Sequence, residues 1–187
     1  MYESDKKLAE RIASRQATAC EELIQLHQAS LFRFSCHLAG DAGLAEELVV
    51  EVFATAWEKM ASYDGRSSLL TWLCRIAYRR FLDSRKRHQR ANCLHERIAL
   101  ESVDSTGVTP CVELTKLEDS ILVWKAVALL DPKLRVAVLL HYRDGMSFLE
   151  IANILESPIG TIKWRISEAL GQLRLQLAGG LNHHGIE

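Results

Sequence analysis

Apolar residues recur at intervals of three and four along most of this 187-residue chain, and almost no segment alternates apolar with polar as a strand would. Only 3 prolines and 10 glycines interrupt the pattern, which predicts an all-α fold with short connections and roughly seven or eight helices. Four would cover residues 5–15, 17–39, 42–61 and 68–90, with breaks at Gly40-Asp41 and Tyr63-Asp64-Gly65. Four more would cover 117–130, 132–142, 147–155 and 158–177, with breaks at Asp131-Pro132 and Asp144-Gly145. Between the two sets, Ser102, Asp104, Ser105, Thr106, Gly107 and Pro110 follow one another with little apolar periodicity, the composition of a flexible linker with at most a short helical piece near 94–100. The expected organisation is two small helical domains, residues 1–91 and 117–187. The linker over 92–116 would span ~28 Å as a coil and up to ~85 Å extended. No spacing of distinctive residues repeats between the halves.

The last two helices carry a more specific pattern. Phe148, Ile151, Ala152 and Leu155 give a short helix one buried face, Ser147 stands where an N-cap belongs, and Glu150 completes a capping box. After Glu156, Ser157 is placed to cap a second helix, with Pro158 at its first position, where a missing N–H costs nothing. Ile159, Ile162, Ile166, Leu170 and Leu173 would form its buried stripe, leaving Thr161, Lys163, Trp164, Arg165 and Glu168 mostly off it. Two short helices joined by a tight turn, the second basic at its start, point to a helix-turn-helix. There Lys or Arg meets phosphate or guanine, and Thr meets backbone or a thymine methyl. The ordinary alternative is a helical hairpin with a solvated charged face.

A chain with 48% hydrophobic residues can bury one large core or two small ones. No apolar run approaches ~20 residues and the N-terminus begins with acids, so neither a membrane span nor a secretory signal is expected and the location should be cytoplasmic. The formal charge of −1 opposes nucleic-acid binding until it is divided along the sequence. Residues 1–71 hold 7 basic and 11 acidic side chains, 72–92 hold 7 and 1, 93–156 hold 6 and 10, and 157–187 hold 3 and 2. Positive charge is thus gathered in one segment, while its flanks are acidic enough to suit a partner's basic surface.

That segment mixes Trp72, Tyr78 and Phe81 with Arg75, Arg79, Arg80, Arg85, Lys86 and Arg87. Basic side chains neutralise phosphates, and aromatic faces stack on unpaired bases at ~1–3 kcal/mol each, an opportunity that duplex DNA does not offer. The helix therefore suits single strands, although Leu73, Ile76 and Phe81 read as core. Just before it, residues 62–68 form a polar loop with turn chemistry that could cradle a flipped base, at an extrusion cost of roughly a few kcal/mol. The helix before that points Leu48, Val52, Phe53, Ala56 and Trp57 inward and Glu46, Glu47, Glu51 and Glu58 elsewhere. Its acidic face and aromatic edges could dock on a basic helical partner.

Enzymatic chemistry finds little support. The cysteines at 20, 36, 74, 93 and 111 are odd in number and form no CxxC pair, against a disulfide framework or a zinc ribbon. Cys20, His27, Cys36 and His37 match no familiar ligand spacing, and His183 and His184 read as a frayed tail. No nucleophile–base–orienter arrangement is evident. No cofactor or metal is expected.

Taken in order, AEELVVEVFATAW, SYDGRSSLLTWLCRIAYRRFLDSRKR, LDPKLRVAVLLHYRDGMSFLEIANIL and SPIGTIKWRI resemble the extracytoplasmic-function sigma factors, the compact two-domain branch of the bacterial sigma-70 family, over nearly the whole chain. The resemblance implies a protein with no covalent chemistry of its own, which binds the β′ and β subunits of core RNA polymerase and confers promoter specificity. It implies docking on polymerase through Glu46, Glu47, Val50, Glu51, Phe53 and Trp57. It implies binding and melting of the minus-ten element by Tyr63, Asp64, Arg66, Ser67, Ser68, Trp72, Arg75, Tyr78, Arg79, Arg80, Lys86 and Arg87. Ser157, Pro158, Gly160, Thr161, Lys163, Trp164, Arg165 and Glu168 would read the minus-thirty-five element, and an anti-sigma factor would be a partner. Three departures from the family pattern stand out: Val50 in place of a usual glutamine, Arg79 in place of a frequent asparagine, and Trp164, Glu168 and Leu170 where small or basic residues are common. A stand-alone helix-turn-helix regulator is the nearest alternative, but it leaves Glu46 to Arg90 unexplained. A helical adaptor or small hydrolase is the more distant one.

Overall fold

The computed structural model describes residues 3–96 and 118–181 of the chain. Among these residues there is no strand, and eight α-helices are present: α1 (Glu3–Ala13), α2 (Ala17–Ala39), α3 (Ala42–Lys59), α4 (Leu69–Glu96), α5 (Glu118–Ala128), α6 (Pro132–Val138), α7 (Phe148–Ile154) and α8 (Ile159–Leu181). The chain divides into two compact units, Met1–Cys111 and Val112–Glu187. The expected linker lies largely outside the described residues, as do most of the helical piece expected near 94–100 and the histidines at 183 and 184. At 92–96, where it is described, the chain continues α4.

In the first unit α2, α3 and α4 pack against one another and α1 closes one side. Ile12, Leu23, Leu31, Phe34, Val52, Met60, Leu69 and Leu73 are fully buried and form its core. At full burial each such side chain is worth about 1.5–3 kcal/mol. The boundaries follow local chemistry. Gly40 ends α2 in the left-handed region at φ 72 and donates its N–H to the Cys36 carbonyl. One residue later, the Asp41 side chain accepts from the Leu44 N–H at 2.9 Å and opens α3.

In the second unit Leu140, Ile151, Ile154 and Ile162 are the fully buried centre. Asp131 caps α6 by accepting from the Lys133 N–H at 2.9 Å, with Pro132 at the helix start. The helix expected over 132–142 is α-helical only to Val138 and then widens into a π-helical turn, Leu139–Arg143. Gly145 at φ 67 turns the chain out of it. Ser147 and Glu150 form the expected capping box, with the Glu150 carboxylate accepting from the Ser147 N–H at 2.9 Å.

Candidate nucleic-acid interface

The stripe of α4 at helical spacing from Trp72 to Arg87 faces a cleft of about 510 Å³ in the first unit. Trp72, Arg75, Ile76, Arg79, Arg80, Asp83 and Arg87 line one wall. Thr55 and Lys59 of α3, with Ser62 of the short 3₁₀ turn Met60–Ser62, line the other. Five cations and one carboxylate therefore surround an open groove, an electrostatic shape suited to a phosphate backbone. Sequence periodicity marked the α4 wall. It missed Thr55 and Lys59, although their 4-residue spacing was a legible sign of a shared face; Ser62 belongs to the polar loop read over 62–68.

Not every basic residue here is available to a ligand. Arg80 Nη2 donates to Thr55 Oγ1 at 2.8 Å, Thr55 in turn donates to the Glu51 carbonyl at 2.7 Å, and the Glu51 carboxylate lies 4.0 Å from Arg80. Arg80 and Glu51 thus tie α4 to α3. Arg75 and Tyr78 are half-buried, whereas Arg79, Lys86 and Arg87 are exposed.

The loop ahead of α4 is built by its own side chains. Tyr63 donates its hydroxyl to the Ser67 carbonyl at 2.6 Å, and its ring meets Trp72 edge-on at 5.8 Å. Asp64 accepts from the Arg66 N–H at 3.1 Å and pairs with its guanidinium at 3.4 Å across Gly65. Ser68 caps α4, accepting from the Thr71 N–H at 3.1 Å. The Ser68 hydroxyl is engaged in the cap, and Trp72 is 5% exposed, so its ring supports Tyr63 instead of offering a free stacking face.

On α3, Glu46, Val50, Phe53 and Trp57 fall on one stripe, with Glu47 and Glu51 beside it. Val50 is 70% exposed, and Phe53 and Trp57 are half-buried. Trp57 carries the Arg15 guanidinium 5.0 Å above its ring, and Arg15 also donates to the Trp57 carbonyl at 3.4 Å. Arg15 does this from the left-handed region, φ 63, a conformation that costs a non-glycine residue about 1–2 kcal/mol. Half-buried His27 has its pKa lowered from 6.5 by burial, with Asp5 opposing the shift.

In the second unit α7 and α8 pack as the two helices of a helix-turn-helix. Glu156 at φ 48 makes the turn, and α8 starts one residue later than expected: the Pro158 carbonyl accepts the first helical bond, from Ile162. Ser157 is therefore not the cap. Its hydroxyl donates to the Leu155 carbonyl at 3.0 Å and closes the turn. Ile162, Ile166, Ala169 and Leu173 are buried as the stripe requires, Leu170 is half-buried, and Ile159 at the helix mouth is 40% exposed. Pro158, Gly160, Lys163, Trp164 and Glu168 are exposed, while Thr161 and Arg165 are half-buried. Lys163 Nζ lies 5.9 Å from the Phe148 ring, and Glu168 accepts from the Gln172 amide at 2.9 Å.

Residues 23–91 match the family model "Sigma-70 region 2", and residues 120–173 match "Sigma-70, region 4". The ECF RNA polymerase sigma factor SigW of Bacillus subtilis is 26% identical over 179 residues, covering 92% of this chain and 96% of that protein. The RNA polymerase sigma-H factor of Pseudomonas aeruginosa is 28% identical over 180 residues, covering 89% and 90%. Among solved structures, the sigma factor RpoE of Bartonella quintana, in complex with the anti-sigma factor NepR, superposes with a TM-score of 0.67 at 27% identity, covering 84% of this chain and 96% of that one. The region 2 match occupies the half of the chain that a stand-alone regulator leaves without a role. With both regions matched in order over more than half its length, the chain belongs to the sigma-70 family, in the extracytoplasmic-function group.

Proposed function

We propose that this sigma factor docks on core RNA polymerase through the exposed α3 stripe centred on Val50, opens the minus-ten element in the α3–α4 cleft, and reads the minus-thirty-five element with the start of α8. The observation that carries the reading is the cleft itself. Its cations hold a strand by phosphate contact, and the loop over residues 63–68, which connects Ser62 of one wall to the α4 wall, has the turn chemistry to receive an unpaired base.

Function here is binding and discrimination without covalent chemistry. Unpairing the promoter costs free energy, which contacts made only with the opened strand offset. On this reading Arg79, exposed on the cleft wall, touches the strand, and Trp72 acts through Tyr63. In the second unit Lys163, Trp164 and Glu168 offer a cation, an apolar face and an acceptor along the outer face of α8, so promoter choice at the minus-thirty-five element would rest on their combination.

Among the described residues no helix is long and apolar enough to cross a membrane, and the reading puts the protein in the cytoplasm with polymerase and chromosome. The partners are core polymerase, promoter DNA and, as in the RpoE complex with NepR, an anti-sigma factor. A gel shift on promoter DNA tests the reading. Firm binding is expected only when core polymerase is present, and equally firm binding by the protein alone, to duplex DNA, would contradict it.

A further inference from the structure

Helix α1 lies outside the sigma-70 region 2 match, which begins at residue 23, yet two of its side chains are committed to the loop ahead of α4. The Asp5 carboxylate accepts a 2.8 Å hydrogen bond from the backbone N–H of Leu69, the first residue of α4. A helix start leaves several N–H groups without internal partners. Here Ser68 satisfies that of Thr71 from inside the loop, and Asp5 satisfies that of Leu69 from a different element. The next side chain, Lys6, runs its stem over Gly65: a Cβ at that glycine would meet Lys6 Cε at 2.6 Å and Cγ at 3.0 Å. Gly65 stands at φ +69, so the loop needs glycine there for its backbone angle, and the lysine stem lies close above it. Two adjacent residues of α1 thus hold the loop in its middle and at its junction with α4.

We propose that Asp5 and Lys6 are positioning residues for the minus-ten loop, keeping residues 63–68 in the shape that receives the unpaired base. A loop ordered before the strand arrives loses less freedom on binding, so the clamp favours capture of the correct base without touching DNA itself. The inference rests on the reading of that loop given above.

The test uses the full chain with core polymerase and two duplex templates that differ at the minus-ten base whose substitution costs the wild type most. The ratio of run-off yields on the two templates is the readout. Asp5→Ala is expected to lower that ratio ~5-fold, the size of a lost helix cap, with core affinity and minus-thirty-five dependence unchanged. Asp5→Asn, which keeps an acceptor oxygen, should restore most of it, and Lys6→Ala should lower it in the same direction. Arg11→Ala breaks the 2.7 Å pair between α1 and Glu22 on α2 without touching the loop, and should leave the ratio as in the wild type. An unchanged ratio in Asp5→Ala, or an equal fall in Arg11→Ala, overturns the proposal. Should Asp5→Ala fail to fold, Lys6→Ala decides, because Lys6 is exposed and an unchanged ratio there overturns the clamp. If the wild type gives no promoter-specific start, the sigma reading of the loop itself has failed, and that is seen before any variant is compared.

Discussion

Trp164 is 61% exposed near the start of α8, with Gly160 one turn before it and open space around that glycine. An indole in that position offers an apolar face that suits a thymine methyl, and Lys163 beside it offers a phosphate or guanine contact. Lys163→Ala should weaken minus-thirty-five binding by ~1–3 kcal/mol if the lysine reads a base, and less, with a shallower salt dependence, if it meets phosphate. Filter binding of the holoenzyme at two salt concentrations separates these cases, and no change at either would remove the residue from the interface. His27 makes a different prediction. Its pKa is lowered by burial against the opposing pull of Asp5, so the unfolded chain takes the proton first. Stability should be highest above pH 6.5 and decline as pH falls through 6.5 and on through the lower folded value. Urea midpoints of the wild type and His27→Gln at two pH values check this: the variant should lose less on acidification. At this scale the sequence showed which face a side chain occupies but not its partner. Nothing in the spacing of Arg80 tells that it reaches Thr55 and Glu51 on another helix, or that Ser157 turns its hydroxyl back to Leu155.

Helices α2, α3 and α7 follow their sequence signals closely, because glycine, aspartate and serine at their ends act within three or four residues. The misses have non-local causes. The π-helical turn Leu139–Arg143 carries no local mark that distinguishes it from an α-helix. The role proposed for α1 was also hidden, since its bond to Leu69 and its contact with Gly65 join residues about sixty positions apart. Two variants test elements as units. Arg80→Ala should lower stability by about 1–2 kcal/mol by cutting the tie between α3 and α4, read as a shift in the denaturation midpoint. Val50→Asp places a charge in the middle of the exposed α3 stripe and should weaken core polymerase binding about tenfold while leaving the fold intact. Undiminished affinity would move the docking face elsewhere.

For the whole molecule, charge distribution was the legible signal and net charge the misleading one. A chain of formal charge −1 still gathers Lys59, Arg75, Arg79, Arg80 and Arg87 around one cleft. The all-α class and the order of the two matched regions could be read from apolar periodicity together with the resemblance of four ordered segments. The promoter sequence could not, because on the proposed reading it would depend on how Arg79, Lys163, Trp164 and Glu168 combine at two DNA contacts. The most direct test of the central claim is run-off transcription from a genomic-fragment library with purified core polymerase, with and without this protein, followed by sequencing of the transcript starts. The account predicts new starts that share two upstream elements at a fixed spacing. Soluble, folded protein that binds core polymerase but yields no new starts would contradict it.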